Sequence, residues 1–130
     1  MEFSTVNPAT VHPTTGYSHA VRMGDLIFVS GQVATSPAGE LVGKGDIRAQ
    51  TEQVFANLRA VLEAAGSGLD QVGKITVLAM RLEDRPIIGE IRNRLFAPYG
   101  YVPASTFAVV ASLANPDWLV EIEAVATVRR

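Results

Sequence analysis

Trp118-Leu119-Val120-Glu121-Ile122-Glu123-Ala124-Val125-Ala126-Thr127-Val128, close to the end of the 130-residue chain, has the alternation of a β-strand. Successive strand side chains point to opposite faces of a sheet. One face therefore carries Trp118, Val120, Ile122, Ala124, Ala126 and Val128, all apolar and suited to packing on helices. The other carries Leu119, Glu121, Glu123, Val125 and Thr127. Two carboxylates between a Leu and a Val leave two readings open: a solvated outer face, or a surface partly covered by a second copy of the chain or by a ligand.

Reading back from that strand, the turn Ala114-Asn115-Pro116-Asp117 joins it to a strand over 105–111, placed beside it by chain order. Before that comes a helix with Asp84 as cap, Pro86 in its first turn and Ile87, Ile88, Ile91 and Leu95 as its buried stripe. Gly89 inside it costs about 1 kcal/mol of helix propensity relative to Ala and asks for a reason such as close packing. The segment 72–82 is apolar on both faces apart from Thr76 and Arg81, which predicts a central, doubly covered strand. Arg81 is then a strand-end residue or a paired one. The clearest helix spans 46–65: Ile47, Val54, Phe55, Leu58, Val61, Leu62 and Ala65 share a face, Asp46 can cap the start, and Gly66 suits the left-handed exit. Residues 34–45 are turn-rich. Residues 17–33 read as a hairpin turning at Gly24, with Ser30-Gly31-Gln32 interrupting the second strand. A glycine there marks either a bulge or a close approach of other atoms. Residues 1–16, with Pro8 and Pro13, read as an irregular arm.

The order of elements gives a single α+β domain over residues 1–130 with one sheet. A chain of this length buries roughly two thirds of its unfolded surface, enough for a core. Two helices cover about one face of such a sheet. The other face, apolar at the central strand, needs burial from outside, and self-association is the expected source.

Composition removes several function classes. Eleven basic and thirteen acidic side chains give a net charge of −2 with no Lys/Arg run, so nothing predicts nucleic-acid binding. The absence of Cys excludes disulfides, thiol nucleophiles and Cys-metal sites. His12 and His19 are the only histidines and lack metal-ligand spacing, so no metal and no cofactor are expected. There is no signal-peptide pattern and no run near the roughly 18 apolar residues of a membrane span, so a cytoplasmic protein without membrane contact is expected.

Several stretches together resemble one family. Gly16-Tyr17-Ser18-His19-Ala20-Val21, the run from Gly24 to Val33, the helix segment from Ala56 to Gly66, Lys74-Ile75-Thr76-Val77 and the run from Val120 to Ala126 are similar to the conserved motifs of the Rid (reactive intermediate deaminase, YjgF-type) family. The resemblance spans nearly the whole chain from Tyr17 onward. It implies a chorismate-mutase-like six-stranded mixed sheet with two helices packed on one face, and a homotrimer with ligand clefts between subunits. It also implies cofactor-free hydrolysis of small-molecule enamines and imines to a carbonyl compound and ammonia. Some relatives carry endoribonuclease labels, which the acidic balance does not support.

By that resemblance Glu121 positions the attacking water as the catalytic carboxylate, Phe107 contributes a backbone carbonyl, and Tyr17, Ser30 and Gly31 line the cleft. The family's carboxylate-binding Arg falls at Ser105, within Pro103-Ala104-Ser105-Thr106, and a cleft Asn falls at Gly89. Loss of that Arg implies altered substrate choice, with Arg81 and Arg92 as the available replacements, or a trimer that binds a metabolite without turning it over. Tyr17 either bonds the ligand or packs the cleft. Ser105 reads as a plain strand residue rather than a nucleophile. His19 is expected on a strand surface rather than as a base, and Glu123 in a salt bridge or subunit contact rather than as a partner of Glu121.

Overall fold

A computed structural model describes residues 1–130. Six strands form one sheet: β1 (Phe3–Val6), β2 (Ala20–Met23), β3 (Leu26–Gln32), β4 (Val72–Ala79), β5 (Ala104–Val109) and β6 (Val120–Thr127). Two helices, α1 (Ile47–Ala64) and α2 (Arg85–Phe96), lie on one face. The strand order is β1-β2-β3-β6-β4-β5, antiparallel throughout except for the parallel pair β4 and β5.

The alternation of β6 holds. Val120, Ile122, Ala124 and Ala126 are buried under the helices, Glu121 and Val125 are half-buried on the other face, and Glu123 and Thr127 are exposed. The core joins them to Ile27 and Val29 of β3, Ile75 and Val77 of β4, Val54, Phe55, Leu58, Val61 and Leu62 of α1, and Ile88, Ile91 and Phe96 of α2. Asp46 caps α1 by accepting from the Ala49 N–H at 3.1 Å. Gly66, at φ 81°, closes it: its N–H donates to Glu63 C=O and that of Ser67 to Leu62 C=O, the pairing of a Schellman end. The β2–β3 hairpin turns on Gly24 and Asp25, with Gly24 at φ 62°.

Four expectations change. The arm over residues 1–16 contains a strand: β1 pairs antiparallel with β2, matching Phe3 to Met23 and Val6 to Ala20. It is an edge strand of four residues, mostly exposed, so no alternation announced it. The strand carrying Ser105 does not adjoin β6. A parallel pairing puts β5 on the outer edge beyond β4. Asp84 does not cap α2 with its side chain. Arg81 grips it in a bidentate pair at 2.8 and 3.0 Å, which keeps the carboxylate 3 % exposed yet satisfied. Finally, Ile87 and Leu95 are only partly buried, and Phe96 joins Ile88 and Ile91 in the α2 stripe instead. The face away from the helices carries Leu26 and Phe28, 44 % and 41 % exposed, beside half-buried Leu78 and Val125.

Candidate functional site

The break expected in β3 is a bulge. Its register against β6 shifts between Val29 and Gln32, so Gly31 faces the side chain of Glu121. A Cβ at Gly31 would lie 2.5 Å from the Glu121 Cδ and 2.7 Å from its Cγ, so only glycine leaves the carboxylate this position. The interruption is therefore both a bulge and a close approach. A concavity of about 480 Å³ opens here, lined by Tyr17, Ser30, Gly31, Val33, Trp118 and Glu121. Gly31→Ala is expected to keep the fold at little cost in stability, because the atoms in the way are only the end of the flexible Glu121 side chain. It should swing Glu121 away, visible in a crystal structure of the variant. A variant with an unmoved carboxylate would overturn the packing argument.

Buried polar groups fix this wall from behind. His19, expected at a surface, is 1 % exposed. Its Nε2–H donates to the His12 carbonyl at 2.7 Å, so Nδ1 accepts from the Gln32 amide at 3.1 Å. Both ring nitrogens are thereby engaged, which leaves none free for acid–base work. Gln32 also donates to the Ser30 carbonyl, and the Ser30 hydroxyl donates to the Ser18 carbonyl at 2.7 Å. Ser30 thus spends its proton on the backbone. Gln50, fully buried in α1, donates to the Gly43 and Asp117 carbonyls and accepts from the Leu119 N–H at 2.8 Å. This ties the loop before β6 to the helix. Trp118 lies in that loop rather than on the helix face of β6; it joins the wall of the concavity, with its indole N–H enclosed and unpartnered. Sequence alternation could not place it, because the apolar pattern starts at Trp118 whereas β6 begins two residues later, at Val120, after the turn at Asn115-Pro116-Asp117.

Glu121 is half-buried, and burial first and Glu123 second push its pKa above the ordinary carboxylate value. Glu123, exposed on the same face, forms no salt bridge within the chain, so its charge acts on Glu121 instead. A carboxylate of raised basicity, next to an open concavity, is suited to take a proton from water. Tyr17 is 52 % exposed at the rim, its ring edge-on to His19 at 6.4 Å.

Ser105 and Phe107 are elsewhere. In register they match Ile75 and Val77 of β4, which match Ala124 and Ile122 of β6, all on the helix side. Glu121 matches Leu78, on the opposite side. Ser105 and Phe107 line a separate concavity of about 170 Å³ at the sheet edge, together with Arg85, Gly89 and Arg92 of α2. Within one chain, a small ligand cannot touch both groups: two strand spacings, roughly 10 Å, and the thickness of the sheet intervene. Arg85 is a residue that sequence reading missed. It is the first residue of α2, and its guanidinium lies over the Phe107 ring, 5.5 Å from the centroid. Arg81, committed to Asp84, is not in this site.

Comparison with known proteins agrees with this architecture. A family model described as Endoribonuclease L-PSP matches residues 8–128. A RutC family protein of Pyrococcus abyssi is 40 % identical over 115 residues, covering 88 % of this chain and 87 % of the relative. A protein of Dermatophagoides farinae named 2-iminobutanoate/2-iminopropanoate deaminase is 30 % identical over 122 residues, covering 93 % and 92 %. The structure of the Rid-family protein YyfA from Yersinia pestis superposes with a TM-score of 0.92 at 31 % identity, covering 98 % of this chain and all of that one. With its six-stranded mixed sheet and two helices in the chorismate-mutase-like arrangement, the chain belongs to the YjgF/RutC/Rid family.

Proposed function

We propose that the protein is a cofactor-free hydrolase of reactive imines or enamines, assembled as a homotrimer whose clefts lie between subunits. The observation that carries this reading is the Glu121 carboxylate, held against Gly31 with its basicity raised, at the mouth of an open concavity. The name of the 30 %-identical mite relative supports the reaction class. Exposed Leu26 and Phe28 on the face away from the helices supply a surface for a second copy.

The chemistry balances without a metal or cofactor. A protonated imine carbon is electrophilic. Water attacks it while Glu121 takes the water's proton, giving a carbinolamine; that proton passes to the nitrogen, the C–N bond breaks, and a carbonyl compound and ammonium leave. The Phe107 carbonyl, supplied from a neighbouring copy, helps orient the water. Tyr17, Ser30 and Gly31 shape the cleft on the Glu121 side.

Ser105 in place of the family's Arg alters substrate choice. A charge-assisted hydrogen bond to a carboxylate is worth about 1.5–3 kcal/mol, roughly ten- to a hundredfold in affinity. 2-Iminopropanoate generated in situ should therefore release ammonia with the protein present, at a kcat/KM about ten- to a hundredfold below that of a relative carrying the Arg. Equal rates would sink the altered specificity. No acceleration over buffer for any imine offered would favour a trimer that binds a metabolite without turning it over. No feature of the charge distribution favours a ribonuclease.

A further inference from the structure

Arg85, Ile88, Gly89 and Arg92 fall at i, i+3, i+4 and i+7, one face of α2. That face looks onto β5 at the concavity floored by Ser105 and Phe107. Gly89 is not imposed by packing: a Cβ there would meet only Arg92 Nη2, at an ordinary 3.4 Å, and its backbone is helical. A bulkier side chain would fill the space between the two arginines. Gly89 thus leaves a notch flanked by two guanidiniums.

Neither guanidinium is neutralised. The other arginines around α2 are paired, Arg81 with Asp84 at 2.8 Å and Arg94 with Glu52 at 2.9 Å. Arg85 meets no carboxylate and is held over the Phe107 ring, and Arg92 bonds only the neutral Asn93 side chain, at 3.1 Å. No acidic residue lines the concavity, and Ser105 adds a hydroxyl. Two forked donors without counter-charge, beside a hydroxyl, form a site for an anion with more than one charged group.

We propose that this notch is the specificity site of the protein and takes a small dicarboxylate, one carboxylate for each guanidinium. The inference rests on the hydrolase reading for its catalytic meaning, since the substrate of the neighbouring copy's Glu121 would then be an imine bearing two carboxylates. The binding itself does not depend on turnover.

The test measures binding by titration calorimetry with unreactive keto acids, 2-oxoglutarate as dicarboxylate and pyruvate as monocarboxylate, with inorganic phosphate as a third probe. The wild-type protein should bind 2-oxoglutarate at least about tenfold more tightly than pyruvate or phosphate, and the affinity should fall with added salt. Arg85→Ala and Arg92→Ala should each weaken it about tenfold. Gly89→Leu, which keeps both arginines and favours the helix, should abolish it by filling the notch. Absence of 2-oxoglutarate binding to the wild-type protein, equal affinity for the three probes, or wild-type affinity in the arginine variants would overturn the proposal. Dicarboxylate binding with no imine turnover would leave the notch standing and remove the hydrolase reading. Turnover indifferent to both arginines would leave the hydrolase reading standing and remove the notch as its specificity site.

Discussion

Glu121→Gln should lower kcat/KM for imine hydrolysis by about 10²- to 10⁴-fold, the range lost with a general base, while leaving the fold intact. Gln retains the shape that fits against Gly31 and loses only the capacity to take a proton. The wild-type profile should rise with pH and level off above the raised Glu121 pKa, because the base must be ionised; burial and Glu123 shift that limb above the ordinary carboxylate range. The variant should lack the limb. Stability moves the other way. A carboxyl whose folded-state pKa is raised holds its proton longer in the folded than in the unfolded chain. Its contribution is intact below the unfolded value and is lost as pH rises through the folded one. Gln never ionises. The thermal midpoint of the variant should therefore match the wild type near about pH 4 and exceed it at about pH 8. Thermal melts across that range, with ammonia release on the same samples, read both effects. Activity within threefold of the wild type would remove Glu121 as the base.

The strand that holds Glu121 was readable from sequence because burial on one face imposes a strict period of two, and Val120, Ile122, Ala124 and Ala126 obey it. The two helices were readable for the matching reason at 3.6 residues. What failed was non-local. Nothing in the run 105–111 reveals that it pairs in parallel with β4 rather than with its chain neighbour β6. That one fact moves Ser105 from beside Glu121 to the far side of the sheet. β1 escaped because an exposed edge strand has no face to bury. His19 was misjudged because its partners, the His12 carbonyl and Gln32, come from other segments. Arg85 and Gly89 look like a charge and a flaw in a helix until β5 supplies the other wall. The Gly31–Glu121 contact was half legible: the break in the strand marked it, but only the bulge register shows that both of its readings hold.

Placement of Glu121 and Ser105 on opposite faces gives the second prediction, a complementation between two inactive variants. Glu121→Gln removes the base from one face, and Ser105→Trp fills the edge concavity on the other. Each homogeneous variant should have about one per cent of wild-type activity or less. Co-expressed in equal amounts, the two assort at random. A cleft that draws Glu121 from one copy and the Ser105 face from the next is intact in about one combination of four, so the mixture should recover about a quarter of wild-type activity. Separate affinity tags on the two variants report whether mixed oligomers form. If the catalytic cleft were contained in one chain, every chain would carry one lesion, and mixing would restore nothing. Activity equal to the mean of the two parents in verified mixed oligomers, or tags that never co-purify, would defeat the shared cleft. Recovery would place the base and the edge concavity on different copies. That arrangement follows from sheet register: Glu121 matches Leu78, whereas Ser105 and Phe107 match Ile75 and Val77, so no rotamer brings them to one side.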